Sequence, residues 1–210
     1  MTHNLHRIGT IKNLQNDYTV IIKTEQGYNS DGVSKKLKIA LEIINKNNAV
    51  NICGARGTNY KGNILDTNLE TIIEAMSDSS TVSAAFNSKK DIIGFLNDMI
   101  NANLGLSVVI QGLYDNILEC CNEVGLKPHT TNHSLGIWGK KELLPSKKIL
   151  EITTMCGHGM VTKKLVDKQI KLIKEGKISI NKAAKTIAKP CICGIVNPKR
   201  VELLLSDLIN

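Results

Sequence analysis

Between residues 17 and 124 the chain alternates short β-branched runs with stretches of helical period, and this alternation constrains its fold more than any other feature. Asp17 to Thr24 (DYTVIIKT) has the β-branched density of a strand and follows a matching run at Arg7 to Lys12, which predicts an opening hairpin. From Ser30 the period changes: Val33, Leu37, Ala40, Leu41 and Ile44 fall on one helical face, with Ser30 or Asp31 as N-cap. Ala49 to Cys53 reads as a short buried strand, Asn68 to Met76 as helix, Thr81 to Phe86 as strand, Lys89 to Asn101 as helix, Leu106 to Gln111 as strand and Leu113 to Val124 as helix. Strands joined by crossovers of this length predict an α/β (α+β) fold, a sheet covered by helices. The split ferredoxin-like form is preferred to a mixed, doubly wound sheet.

Beyond Pro145 the strand signal ends. Helices are expected at Gly159 to Lys174, Ile180 to Ala188 and Lys199 to Leu208, separated by Gly176 and the loop from Pro190 to Pro198. The chain therefore divides into an α/β domain over residues 1–145 and a helical, cysteine-containing, metal-binding appendage over 146–210, packed on it. An appendage of about sixty residues is too small to be secure alone without a metal or the sheet beneath it. No internal repeat or low-complexity tract is evident.

Composition narrows the functional classes. Seven aromatics in 210 residues are too few for the base-stacking platforms of single-stranded nucleic-acid binders. The net charge is +8, but lysines recur in pairs along the whole chain and the only arginines are Arg7, Arg56 and Arg200. That is the pattern of a lysine-coated surface rather than a nucleic-acid face. The N-terminus has no signal-peptide core, and no run approaches the roughly eighteen apolar residues of a membrane span, so a cytoplasmic chain without membrane contact is expected. In a reducing compartment its six cysteines serve as metal ligands or reactive thiols rather than disulfides.

Cys156 lies in Thr-Thr-Met-Cys-Gly-His-Gly-Met, and Cys191 and Cys193 lie in Pro-Cys-Ile-Cys-Gly. Both are tight turns at helix starts, where free backbone N–H groups stabilise thiolates. Three thiolates suit zinc completed by His158, or a 4Fe-4S cluster with one iron lacking a cysteine. A Cys-x-Cys pair is too short for the usual zinc knuckle, so the cluster is the leading expectation, with zinc as the alternative. An iron left open can act on a hydroxyl or carboxylate or hold a sulfur atom. Cys53 is a candidate remote fourth ligand, and adjacent Cys120 and Cys121 read as packing residues of an apolar helix.

Around this metal set, His129 and His133 form a His-x-x-x-His pair that shares a face in either helix or strand, and they are the candidate catalytic acid and base. Arg56 and Lys61, in a glycine-broken loop after a strand, and Arg200 are the candidate substrate clamps. The expected function is that of an anaerobe-type iron-sulfur protein acting on a small anionic substrate or sulfide, by hydration or dehydration (a lyase) or by sulfur transfer. The alternatives are an iron-sulfur-sensing transcriptional regulator that uses Ser179 to Leu208 as a helix-turn-helix, and a zinc-stabilised interaction module. Against the regulator, its recognition helix carries Glu202, Asp207 and an apolar Leu203-Leu204-Leu205 run.

Overall fold

The computed structural model describes residues 6–24, 30–54 and 59–209. The expected opening hairpin does not form. Ile11–Leu14 is a helical turn (α1) capped by Thr10, and the strand after it, β1 (Tyr18–Lys23), is buried along most of its length and pairs with later strands on both edges. Both ladders of β1 are thereby taken, so the β-branched density of the run reflects a central strand rather than half of a local hairpin.

β2 (Asn51–Cys53), β3 (Val82–Phe86) and β4 (Ser107–Gln111) complete a four-stranded sheet in the order β2-β3-β1-β4. Every pairing is antiparallel, so the mixed, doubly wound alternative is not realised. β1 and β2 run the same way with β3 between them, and β3 and β4 run the same way with β1 between them. Two β-α-β units thus interleave, the split arrangement.

The helices of this half are α2 (Val33–Lys46), α3 (Leu69–Glu74), α4 (Lys89–Ala102) and α5 (Tyr114–Glu123). α2 buries Val33, Leu37, Ala40, Leu41 and Ile44, as its period requires. Its cap comes from far along the chain: the Asp78 carboxylate accepts from the N–H groups of Gly32 and Ser34 at 2.9 and 2.8 Å, in place of the expected Ser30 or Asp31. Register sets which strand residues meet the helices. Val20 opposes Ala84 and Ile110, and Ile22 opposes Val82 and Val108. These residues join Tyr18, Ile52, Phe86, Leu37, Leu41, Ile92 and Phe95 in one core.

The C-terminal part holds one helix more than expected: α6 (Lys147–Thr153), α7 (Lys163–Lys174), α8 (Ile180–Ala188) and α9 (Pro198–Ile209). α7 starts at Lys163 rather than Gly159, because residues 156–161 form a turn and Thr162 is the N-cap. α8 packs on α7 and α9, and α6 on the same two, around a second core that includes Ile152, Val166, Ile187, Val196 and Leu205. This unit lies against the sheet face that carries Asn51, Cys53 and Ser83: Asn51 Nδ2 donates to the Val196 carbonyl at 3.0 Å, and Ser83 Oγ to the Cys193 carbonyl at 2.6 Å. Among the described residues no helix is long and apolar enough to cross a membrane.

Candidate metal centre

The loops α6 to α7 and α8 to α9 are built alike. One reads Cys156-Gly-His158-Gly159-Met160-Val161 and the other Cys191-Ile-Cys193-Gly194-Ile195-Val196. In each, a helix ends three residues before the first cysteine, whose N–H donates back to the helix's last residue: Cys156 to Thr153 O at 3.2 Å, and Cys191 to Ala188 O at 3.1 Å. In each, the glycine is left-handed (φ 68 at Gly159, 59 at Gly194) and donates to the cysteine carbonyl, at 3.1 and 2.9 Å. The residue after the turn caps the next helix: Thr162 Oγ1 accepts from Leu165 N at 3.2 Å, and Asn197 Oδ1 from Arg200 N at 3.1 Å. The chain therefore does hold an internal repeat, a helix-turn-helix unit used twice. Its signature of Cys, Gly and Val in six positions, with His158 standing where Cys193 stands, is too sparse to stand out in the sequence.

The two turns meet through equivalent atoms. The Cys191 thiol donates to the Cys156 sulfur, which also accepts from the N–H groups of His158, Met160 and Val161. Despite burial, these donors hold Cys156 well below the ordinary thiol range. Cys191 is pushed up by its bond to Cys156 and by burial, while the N–H groups of Ile195 and Val196 oppose the rise. Two residues further along each turn, Cys193 Sγ lies 3.4 Å from His158 Nδ1. The inner pair is dry, with Cys156 3% and Cys191 0% exposed, whereas Cys193 is half-buried and His158 exposed. Such a set of thiols and imidazole, with backbone donors already aimed at sulfur, fits a thiophilic metal. Among the described residues no three His, Cys, Asp or Glu side chains group closely enough to hold one ion.

The sheet supplies a third wall. Gly194 rests on β2 so closely that a Cβ there would come within 2.7 to 2.9 Å of Ile52 and Cys53. Its lack of a side chain thus serves contact with the sheet. Asn63 Nδ2 donates to the carbonyls of Lys189 and Cys191 at 2.9 and 3.0 Å, which ties the loop after β2 to the second turn. Tyr60, in the same loop, has its phenol pushed up to about 12 by burial and by the nearby Cys53, Asp66, Cys191 and Cys193, so it stays a neutral O–H among sulfurs.

A clamp missed by sequence reasoning fixes the turns. Arg7 Nη2 donates to the Met155 carbonyl at 3.1 Å and to the Ile195 carbonyl, one from each turn. Its Nη1 donates to both Asp17 carboxylate oxygens at 2.7 and 2.6 Å. Arg200 grips the same carboxylate at 2.8 Å and also donates to Ile8 O and Asn13 Oδ1. No local signal pairs Arg7 or Arg200 with Asp17.

Of the expected metal-site residues, Cys156 touches Cys191, Cys193 lies beside His158, and Cys53 lies on β2 against the second turn at Gly194. Arg200, expected as a substrate clamp, is 0% exposed, and its guanidinium pairs with the carboxylate of Asp17. Arg56 lies outside the described residues. Lys61 is exposed, next in the chain to Tyr60. His129 and His133 are exposed in a segment that is neither helix nor strand, so four-residue spacing does not align them there. His129 Nδ1 is 2.7 Å from Thr130 Oγ1, and the His133 ring stacks edge-on with Tyr114, centroids 5.0 Å apart. Cys120 and Cys121 are buried in α5, and burial pushes both thiols up, as suits packing residues. α9 buries Val201, Leu204 and Leu205 in the core of its own unit and Arg200 against Asp17, a poor disposition for a helix that reads DNA.

Comparison with protein-family models, with curated proteins and with solved structures finds no match to this chain.

Proposed function

We propose that this chain is an iron-sulfur protein whose cluster is held by Cys156, Cys191 and Cys193, with a fourth position that is not a thiolate. The observation that carries the reading is the paired turn: two equivalent loops aim backbone N–H groups at two touching sulfurs. Backbone donors of this kind stabilise metal-bound thiolate and tune cluster potential. A single zinc ion is the weaker alternative, because no three donors among the described residues group around one point.

The non-thiolate position gives the centre its chemistry. When bound, the cluster supplies a Lewis-acidic iron, at which a small anion or a sulfur atom exchanges. The protein's own part is to exclude water from the inner sulfurs, to hold the Tyr60 phenol neutral beside them and to keep the turns in register through Arg7. Lys61 supplies an exposed cation next in the chain to Tyr60.

Anaerobic purification followed by iron, acid-labile sulfide and zinc analysis tests the reading. The expected product is brown, with iron and sulfide in equal amounts. Cys156→Ser, Cys191→Ser and Cys193→Ser lose both, and Cys120→Ala keeps them. Stoichiometric zinc without sulfide would replace the iron-sulfur reading with the zinc-stabilised module.

A further inference from the structure

We infer that the centre is a two-iron, two-sulfide cluster, with Cys156 and Cys191 on one iron and Cys193 and His158 on the other. This rests on the iron-sulfur reading above and fixes its nuclearity and its fourth ligand.

Donor spacing separates the three kinds of occupant. A tetrahedral ion draws all four donors into mutual contact, since sulfurs on bonds of about 2.3 Å to one metal lie about 3.8 Å apart. A cubane takes one protein donor per iron, so its donors stand apart from one another. A two-iron rhomb takes two donors per iron, so they touch within each pair and not between pairs. This chain shows the third pattern. Cys191 touches Cys156, His158 Nδ1 lies 3.4 Å from Cys193 Sγ, and no three donors group together among the described residues. In each turn one residue separates the two donor residues, which sets their Cα atoms at most about 7 Å apart along extended chain.

The repeat supplies an independent argument for His158. It occupies the turn position that Cys193 occupies in the other copy, before a left-handed glycine in both. Two equivalent turns that each offer two donors give a four-donor site, and the imidazole is the fourth. The pairs also differ in access: the dithiolate pair is buried and the Cys193–His158 pair opens to solvent. A small anion would therefore reach the Cys193–His158 side of the site first, where the neutral imidazole would be a weaker ligand than thiolate.

The test uses the full chain reconstituted anaerobically with ferrous iron and sulfide. Two irons and two sulfides per chain are expected. After dithionite reduction, electron paramagnetic resonance should show a cluster coupled to a ring nitrogen, with the coupling altered by 15N-histidine. His158→Cys should keep two irons per chain, lose the nitrogen coupling and shift the potential downward. His158→Ala should lose iron to a chelator at least several-fold faster than wild type. Four irons per chain, or two irons without nitrogen coupling, would overturn this inference and leave the iron-sulfur reading standing. Absence of sulfide in the loaded protein would overturn both.

Discussion

Asp17 has no exposed side-chain surface and lies between two guanidiniums, so replacing it strands two cations in a dry interior. Asp17→Asn is expected to lower unfolding free energy by about 3–5 kcal/mol, measured by urea denaturation. Burial alone would raise the Asp17 carboxyl, but the charges of Arg7 and Arg200 and its hydrogen bonds hold it below the ordinary 3.8. A depressed carboxyl contributes fully above its unfolded value and loses that contribution as pH falls toward its folded one. The advantage of wild type over Asp17→Asn should therefore be constant from neutrality down to about pH 4 and shrink below it, read from unfolding curves across pH. The two turn glycines give a second contrast. Gly159→Ala meets only the left-handed backbone, for about 1–2 kcal/mol. Gly194→Ala meets that and the β2 backbone as well, adding about 1–3 kcal/mol and displacing the turn from Cys53. Equal destabilisation of the two variants would show that the second turn does not depend on contact with the sheet.

The elements differ in how far their own residues determine them. α4 is a local product: Ser88 Oγ accepts from Asp91 N at 3.1 Å and donates to the Asp91 carboxylate, so Ser88→Ala should cost about 1 kcal/mol in thermal unfolding and leave iron content unchanged. Its span, like those of β3, β4 and α8, follows from sequence because cap, period and β-branching agree there. Where an element depends on a distant partner, sequence reasoning fails. The cap of α2 is Asp78, remote in the chain, and the run from Arg7 turns helical while Arg7 itself reaches the cysteine turns. α6 was obscured because its seven residues show too little period, and the start of α7 because a cysteine turn precedes its cap. Of the candidate site, the cysteines were legible by their glycine-rich turns. The pairing of His158 with Cys193 needs the repeat, and the repeat needs the backbone equivalence of two loops 35 residues apart.

At the level of the molecule, the sheet and the helical unit keep separate apolar cores and share a polar seam of Asp17, Arg7, Arg200, Asn197, Asn51 and Asn63. Polar seams hold geometry more by direction than by area. Arg7→Lys keeps the charge facing Asp17 but loses the fork that reaches both turns. It should leave the helical and strand signals in circular dichroism intact while iron leaves to a chelator several-fold faster. An unchanged release rate would show that the turns hold their register without the clamp.

A single guanidinium, that of Arg7, joins residues 148 and 188 positions away from it. Contacts that close loops of this size form late, because their entropy is lost before their enthalpy is gained. The sheet and the helical unit can each gather on nearer contacts, but the thiols take their final spacing only after residues 7, 155 and 195 have met. A growing or partly folded chain therefore presents three loosely arranged thiols and one imidazole, and no selective trap for metal. On the proposed iron-sulfur reading, metal capture would be one of the last events of maturation, and a loaded centre would mark a chain that has finished folding.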